Sequence, residues 1–583
     1  MWCKQATASA KSLGQRTLVL LALLAACGDP PLDKSKSTLD SGNTTQDGAV
    51  FDSKSDTKAD TTGSDGTALD VALDVLADGA ATDAGPIGSD AGPVGTDATG
   101  ATDALIPYDV ALAEFSMTGT EPAAGSTLQG PPFSFTLVFS APLKKESVSK
   151  TTIGVISHAG GDVPGKWTVD SNKATFTTTA LVAPSSRIQV DINFLVQSYQ
   201  GVTLAQPLKV AFYTAPPAGM EPYAQMAARY APVLRQAVTS EADYLQQVQL
   251  DGNWQAGDNQ LNYKGKPKIA EVGWSAVETQ SHVFLGYLLY WPERPAVGSA
   301  SAFANDSSAV LIAVRKARPG VPEAPVALFS FFRSKTDEQS WLWMTQDQGL
   351  PKGGAYVRQV LGLDTLFPPA AADDTLGCSG LTDCVPRRAK LWQTAAMHQV
   401  CLQGDAGQAS DSQCFLGAES MKAAKWIEYW PAEGAGTQAP GATAEGAKAT
   451  YVLRSLYETW WPRRDEVAPD GLWQDAQFVY DPAPGRPKGD GLSWGSKFIS
   501  GNALDAGRPP WAMLWKPATL SQTYYQLPRG VPWLDPAYTL MQRLGGSQQV
   551  PTYNAQTAQG LSLETCWNVF LGLDNRTTEA CKW

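Results

Sequence analysis

Glu278, His282 and Asp306 are the side chains of this 583-residue chain whose types and spacing best suit acid–base or metal chemistry. A carboxylate and an imidazole four apart at a strand edge, with Asn305-Asp306 on the turn before the next apolar strand, would converge on one mouth. Joined by Asp251-Gly252-Asn253 and Asp258-Asn259, they could hold a hard cation such as calcium through oxygens, with His282 as an extra ligand or a general base. A paired-carboxylate hydrolase acting on carbohydrate is the related chemistry. It needs two acids ~5 to 10 Å apart in a cleft, and Glu278, Asp306, Glu428 and Glu458 are the candidates. The plainer expectation is that Glu278, His282 and Asp306 hydrogen-bond loops around a core, since no known ligand set has this spacing.

Other reactive groups point away from catalysis. Gly491-Leu492-Ser493-Trp494-Gly495 has the spacing of a nucleophile elbow, which needs a strand before the serine, a helix after it and a histidine later in the chain. Asp481 to Asp490 is instead rich in Pro and Gly, Gly501 interrupts a following helix, and His398, last of the 3 histidines, precedes the serine. The lone His158 beside Gly160-Gly161 reads as a loop residue. Cys378, Cys384, Cys401, Cys414, Cys566 and Cys581 form an even set, and oxidation is permitted in an exported region. Six cysteines allow fifteen pairings, of which the simplest joins neighbours: Cys378 with Cys384, Cys401 with Cys414, and Cys566 with Cys581. The absence of Cys-x-x-Cys and the scarcity of histidine leave a zinc cage without ligands. Nearly all of the 19 tryptophans lie between Trp254 and Trp583. They would serve either a sugar-stacking surface or, the favoured reading, a large core.

The elements that must position these groups fall in a region from 219 to 583, read as a β-rich α+β domain with disulfides. Tyr223, Met226, Ala227, Tyr230, Val233 and Leu234 recur at three and four, which predicts a helix behind Pro217. Val272 to Val277, Val283 to Trp291, Ala309 to Val314 and Val326 to Phe332 read as strands, the last two buried. A second helix is predicted from Ala447 to Trp461, with Pro462 as its stop.

Ahead of it, 114–216 reads as a small antiparallel sandwich. Phe133, Phe135, Leu137 and Phe139 alternate with polar or smaller residues, as do Ile188, Val190, Ile192 and Phe194, with turn signals at Ala124-Gly125, Gly160-Gly161, Ser171-Asn172 and Gln200-Gly201. Glu121-Pro122-Ala123-Ala124-Gly125-Ser126, Phe139-Ser140-Ala141-Pro142-Leu143 and Tyr199-Gln200-Gly201-Val202-Thr203-Leu204 resemble the SbsA-type bacterial Ig-like domain. That resemblance implies a spacer without catalytic residues. Val277-Glu278-Thr279-x-x-His282-x-Phe284, Pro509-Pro510-Trp511 and Trp533-Leu534-Asp535-Pro536-Ala537-Tyr538 resemble a group of uncharacterised bacterial exported proteins. In that group a segment richer in His and Glu surrounds the Asn-Asp pair, whereas this chain has Phe303-Ala304-Asn305-Asp306-Ser307-Ser308.

The first 113 residues speak of location. Residues 1–27 carry Lys4, Lys11 and Arg16, an apolar run from Thr17 to Ala26, and Leu24-Ala25-Ala26-Cys27, the lipobox of a lipoprotein signal peptide in which Cys27 takes the diacylglycerol. The apolar run is half of the ~20 residues that span a bilayer. Residues 28–113, built from Asp, Ala, Gly, Thr and Ser, cannot bury enough apolar surface to order themselves and read as a disordered acidic tether reaching some 50 Å. Between Gly28 and Val110, sixteen Asp against four Lys equal the net charge of −12 of the whole chain. No run there, Asp65-Gly66 and Asp70 to Asp78 included, has the order of a calcium loop. The folded part is near neutral and lacks a basic run, so nucleic acid is not a partner. The expected protein is therefore an exported, membrane-anchored lipoprotein on the periplasmic or cell-surface side. Gly28 after the cysteine resembles lipoproteins sent to an outer membrane. Its role is expected to be non-catalytic, in binding a protein or glycan partner or as structure, and the alternative is a secreted carboxylate- or metal-dependent hydrolase.

Overall fold

Alternation of apolar and polar residues builds the first folded part. The computed structural model describes residues 114–157, 161–296, 302–333, 338–346, 349–351, 357–402, 425–434, 436, 437, 439, 446–463, 483–487, 530–547, 549–557 and 559–582. The lipobox with Cys27, the tether, His158, Cys414, the Gly491–Gly495 motif and Pro509–Trp511 lie outside the described residues. Strands β1 (Met117–Glu121), β2 (Thr127–Leu128), β3 (Ser134–Phe139), β4 (Ile153–Ser157), β5 (Gly161–Asp162), β6 (Gly165–Asp170), β7 (Lys173–Thr178), β8 (Arg187–Ile192) and β9 (Leu208–Thr214) form two sheets. Their orders are β1-β3-β7-β6 and β2-β9-β8-β4-β5. The pleat turns alternate residues inward, so Phe135, Leu137 and Phe139 of β3 meet Ile188, Val190 and Ile192 of β8 in one core with Phe176 and Phe212. Phe194, expected to continue that inward row, lies beyond the end of β8 and is 47% exposed.

A second core begins at α1 (Glu221–Tyr230), which buries Tyr223, Met226, Ala227 and Tyr230. Pro232 ends the helix: it has no N–H to donate and holds Ala231 extended, at ψ 127°. Val233 and Leu234, expected on the helix, therefore start β10 (Val233–Val238). Then come β11 (Glu271–Thr279), β12 (His282–Arg294), β13 (Phe303–Arg315), β14 (Ala324–Arg333), β15 (Glu338–Thr345) and β16 (Val357–Leu361). The chain continues through β17 (Lys390–Gln393), β18 (Val400–Leu402), β19 (Lys425–Ala432), β20 (Ala447–Ser455), α2 (Pro536–Arg543), β21 (Thr565–Asn568) and β22 (Leu573–Asp574).

All thirteen strands join one mixed sheet of order β16-β15-β14-β13-β12-β11-β20-β19-β10-β17-β18, with β21 on β11 and β22 on β21. The sheet curls until β18, at one end, packs against β13 and β14. The four expected strands are present within β11 to β14. The second expected helix is not: Ala447–Ser455 is strand β20, parallel to β19 and β11, and a turn runs from Leu456 to Arg463. Ala449, Tyr451 and Leu453 also alternate with period two, and two waiting strand edges supply the backbone partners that decide between the readings. Among the described residues the helical share is small, so the β-rich part of the expectation holds better than its α+β label.

Cys378–Cys384 and Cys566–Cys581 are disulfides, and Cys401 is also disulfide-bonded, its partner lying outside the described residues. The second bridge ties the C-terminal segment to β21 inside the sheet. Replacing both Cys566 and Cys581 with serine is expected to lower stability by about 2 to 4 kcal/mol, chiefly by freeing the unfolded chain. Denaturant titration of oxidised protein checks this; a change below about 0.5 kcal/mol would show the bridge to be incidental.

Candidate functional site

Register along β12, not the face of the sheet, separates the two carboxylates expected to meet. On β11, Glu278 stands opposite Val283 of β12; on β13, Asp306 stands opposite Trp291. Eight steps of β12 lie between those two partners, about 27 Å at ~3.4 Å each. Asp306 is not on a turn, because Asn305-Asp306 belongs to β13. Glu278, His282 and Asp306 therefore do not converge.

Each has other partners. Glu278 is fully buried, accepts from the Tyr223 hydroxyl of α1, and is ion-paired with the equally buried Lys316 ammonium. Tyr223 stacks on Trp567 with centroids 4.1 Å apart, and burial followed by the Glu278 charge pushes its hydroxyl pKa up. Burial pulls the Lys316 pKa down, with Glu278 opposing. His282 is buried with Nδ1 2.8 Å from Ser281 Oγ, while Nε2 has no partner among the described residues. Burial, then Arg315 and Lys316, push its pKa down to about 3, so it is neutral. Glu428 accepts from Arg235 (2.7 Å) and from the Trp430 indole (2.7 Å), and Glu458 is exposed. The four acids thus form no carboxylate pair. Asp251 and Asp258 both accept from Asn262, and Asn259 donates to the Val248 carbonyl and to Tyr290, whose hydroxyl donates to Asn305 Oδ1 at 2.5 Å. Among the described residues no three His, Cys, Asp or Glu side chains are placed to hold a metal ion.

A different polar centre does form, around Asp306. His398 Nδ1 lies 2.7 Å from Asp306 Oδ2, its Nε2 lies 3.4 Å from Asp243 Oδ1, and its ring stacks on Trp291 at 4.2 Å. The Nε2 contact is an ion-pair distance without good hydrogen-bond geometry. Burial works against a charged imidazole, but the two flanking carboxylates outweigh it and hold the pKa above its ordinary value. Asp243 is held below its usual range despite burial, by His398 and by backbone N–H groups of Thr239 and Ala396. Asp243 is also the third residue of a capping box started by Ser240, so the short turn after β10 aims it. Ser308 Oγ donates to the His398 carbonyl at 2.7 Å, and the buried Arg294 contacts Met397 Sδ. Asn305 (φ 59°), Ala396 (φ 58°) and His398 (φ 46°) all have left-handed backbone. Non-glycine residues pay for that shape, of order 1 kcal/mol or more each, and keep it only where their surroundings over-determine it.

This centre lacks what acid–base catalysis needs. Both ring nitrogens face carboxylates and the ring is fully buried, so neither nitrogen is open to a substrate proton. The carboxylates sit on opposite sides of the ring and share no point at which a cation could sit. The arrangement clamps the 394–399 hairpin instead. Across the sheet domain, buried polar atoms have no partner among the described residues: Gln236 Oε1, both amide atoms of Gln246, Gln393 and Gln399, Ser330 Oγ and Trp343 Nε1. Of the expected residues only Asp306 belongs to the clamp. Asp243, His398 and the glutamines were missed, although glutamines inside otherwise apolar strands were a readable signal. The tryptophans Trp291, Trp343, Trp533 and Trp567 are fully buried, which favours their role as core. An apolar cavity of about 580 Å³ lies where the sandwich meets the large sheet, lined by Leu128, Phe133, Val182, Trp461, Trp567 and Leu573.

Residues 113–214 match the family described as bacterial Ig-like domain. No curated protein matches the chain. Similar solved structures include the L,D-transpeptidase LdtMt1 in complex with imipenem, at 17% identity over 17% of this chain and 39% of that one, with a TM-score of 0.13. The MG0-NIE-MG1 part of Escherichia coli alpha-2-macroglobulin aligns at 11% identity over 38% of this chain and 78% of that one, with a TM-score of 0.16. The N-terminal part of the bacterial S-layer protein SbsC aligns at 12% identity over 33% and 43%, with a TM-score of 0.15. The chain thus spans less than half of the transpeptidase and of the SbsC fragment. Likenesses at such scores carry no functional inference.

Proposed function

We propose that this chain is an exported protein held to a membrane through lipidated Cys27, in which the Ig-like domain is a spacer and the large curled sheet binds a ligand without transforming it. The observation that carries the non-catalytic reading is His398, whose two nitrogens both face carboxylates. The Ig-like match supports the spacer, and the lipobox with its basic n-region supports the anchor. Gly28 favours an outer membrane as the destination. Among the described residues no helix is long and apolar enough to cross a membrane.

Replacing Cys27 with serine is expected to move the protein from the membrane to the soluble fraction and to remove the diacylglycerol mass, because the thioether cannot form at a hydroxyl. Unchanged fractionation of that variant would overturn the anchor. For the binding role, Asp306→Asn is expected to loosen the 394–399 hairpin, seen as faster amide exchange there, without abolishing any turnover. A loss of turnover on a defined substrate would return the site to catalysis.

A further inference from the structure

We infer that the inner face of the curled sheet binds a small uncharged molecule rich in hydroxyl or amide groups. The inference rests on the binding role proposed above and names its ligand class. Register places the groups. Gln236 of β10 pairs with Gln393 of β17 in parallel, so both side chains leave the sheet on one face, together with Leu234, Leu391 and Tyr429. Following the register across β19, β20, β11, β12, β13 and β14 puts Trp291, Asp306, Ser330 and, on β15, Trp343 on that same face. Because β18 returns to β13 and β14, the glutamine end and the Ser330 end look into one interior.

Gln236, Gln393, Ser330 and Trp343 have no exposed surface. Yet Gln236 Oε1, Gln393 Oε1 and Nε2, Ser330 Oγ and Trp343 Nε1 reach no partner among the described residues. A buried donor or acceptor left unmade costs its full desolvation penalty, and leucine at 393 would escape it. The set therefore fits a molecule that returns both donors and acceptors, as hydroxyls and amides do. It also fits an uncharged one. The cations of this face are already engaged, Lys316 by Glu278 and His398 by Asp243 and Asp306, so an anionic ligand would enter without a counter-charge. Flat indole faces such as Trp343 suit a sugar ring.

The test uses the full mature chain. Native mass spectrometry of the purified protein, before and after stripping in mild denaturant, reads any retained small molecule. N-acetylglucosamine is the uncharged probe and glucuronate its charged counterpart, each added to stripped protein while the thermal midpoint is followed. N-acetylglucosamine is expected to raise the midpoint and glucuronate to leave it unchanged. Gln236→Leu with Gln393→Leu should weaken binding of the uncharged probe about tenfold or more. If that double variant fails to fold, Ser330→Ala, the removal of one hydroxyl, should weaken it in the same sense. No retained mass and no response to N-acetylglucosamine would overturn the inference. So would a folded double variant that binds like wild type, or one more stable than wild type with no ligand in either, which would mean that the glutamines meet only water. None of these failures touches the Cys27 fractionation or the amide exchange of the Asp306→Asn variant, so the ligand class can fall while the anchored, non-catalytic reading stands.

Discussion

Replacing Lys316 with methionine is expected to destabilise the large sheet by about 3 to 5 kcal/mol, the cost of leaving a buried charge without its partner. The reason lies in the burial of both ions: neither Lys316 nor Glu278 has exposed side-chain surface, and Tyr223 seals the pair from the α1 side. Glu278→Gln, which isolates the ammonium instead, should fall in the same range. Removing the whole set, with Lys316→Met, Glu278→Leu and Tyr223→Phe together, should recover most of the loss, since apolar groups of similar volume often match a buried pair. Chemical denaturation of the full chain, monitored by tryptophan fluorescence from the sheet, measures this. A Lys316→Met variant within about 1 kcal/mol of wild type would show that the ammonium escapes to water, and would make Glu278 available for chemistry again.

Acidification is expected to produce the second large effect, through His282. Its folded-state pKa of about 3 lies below the ordinary histidine value of about 6.5. Between those two values the unfolded chain takes up a proton that the folded chain refuses, so stability rises with pH across that window. The contribution is complete above about pH 6.5 and is lost as pH falls towards 3, amounting to about 5 kcal/mol at the lower end. His282→Phe should therefore flatten the acid limb of the stability curve while changing stability at pH 8 much less. His398 acts in the opposite direction: its raised pKa adds stability that is complete below about pH 6.5 and is lost as pH climbs through the folded value. Parallel acid limbs in wild type and His282→Phe would mean that the buried imidazole is not the acid-labile group.

Much of the architecture was legible because period two is a local property. The inward rows of β3 and β8, and the apolar runs of β11 to β14, announce a face and a strand without reference to any partner. Neighbouring cysteines were legible for a similar reason, since short loops bring Cys378 to Cys384 and Cys566 to Cys581. Ala447–Ser455 was not, because its pattern satisfies helix and strand alike and the choice fell to the free edges of β19 and β11. The candidate site was read less well. Glu278 and His282 are close in sequence and both end up buried, but their partners come from α1, Ser281 and Lys316 rather than from Asp306.

The sequence by itself determined the Ig-like domain and the strand-rich character of the region from 219 onward, since residue types and alternation decide which faces must leave water. Only the tertiary structure decided which polar groups meet. Asp243, Asp306 and His398 belong to three separate segments, and nothing in their local spacing relates them. Register along β12 sends Asp306 to the far end from Glu278, and the curl of the sheet brings the β17–β18 hairpin over it. Pairing and register depend on long-range hydrogen bonds between strands, which a single strand's periodicity does not contain.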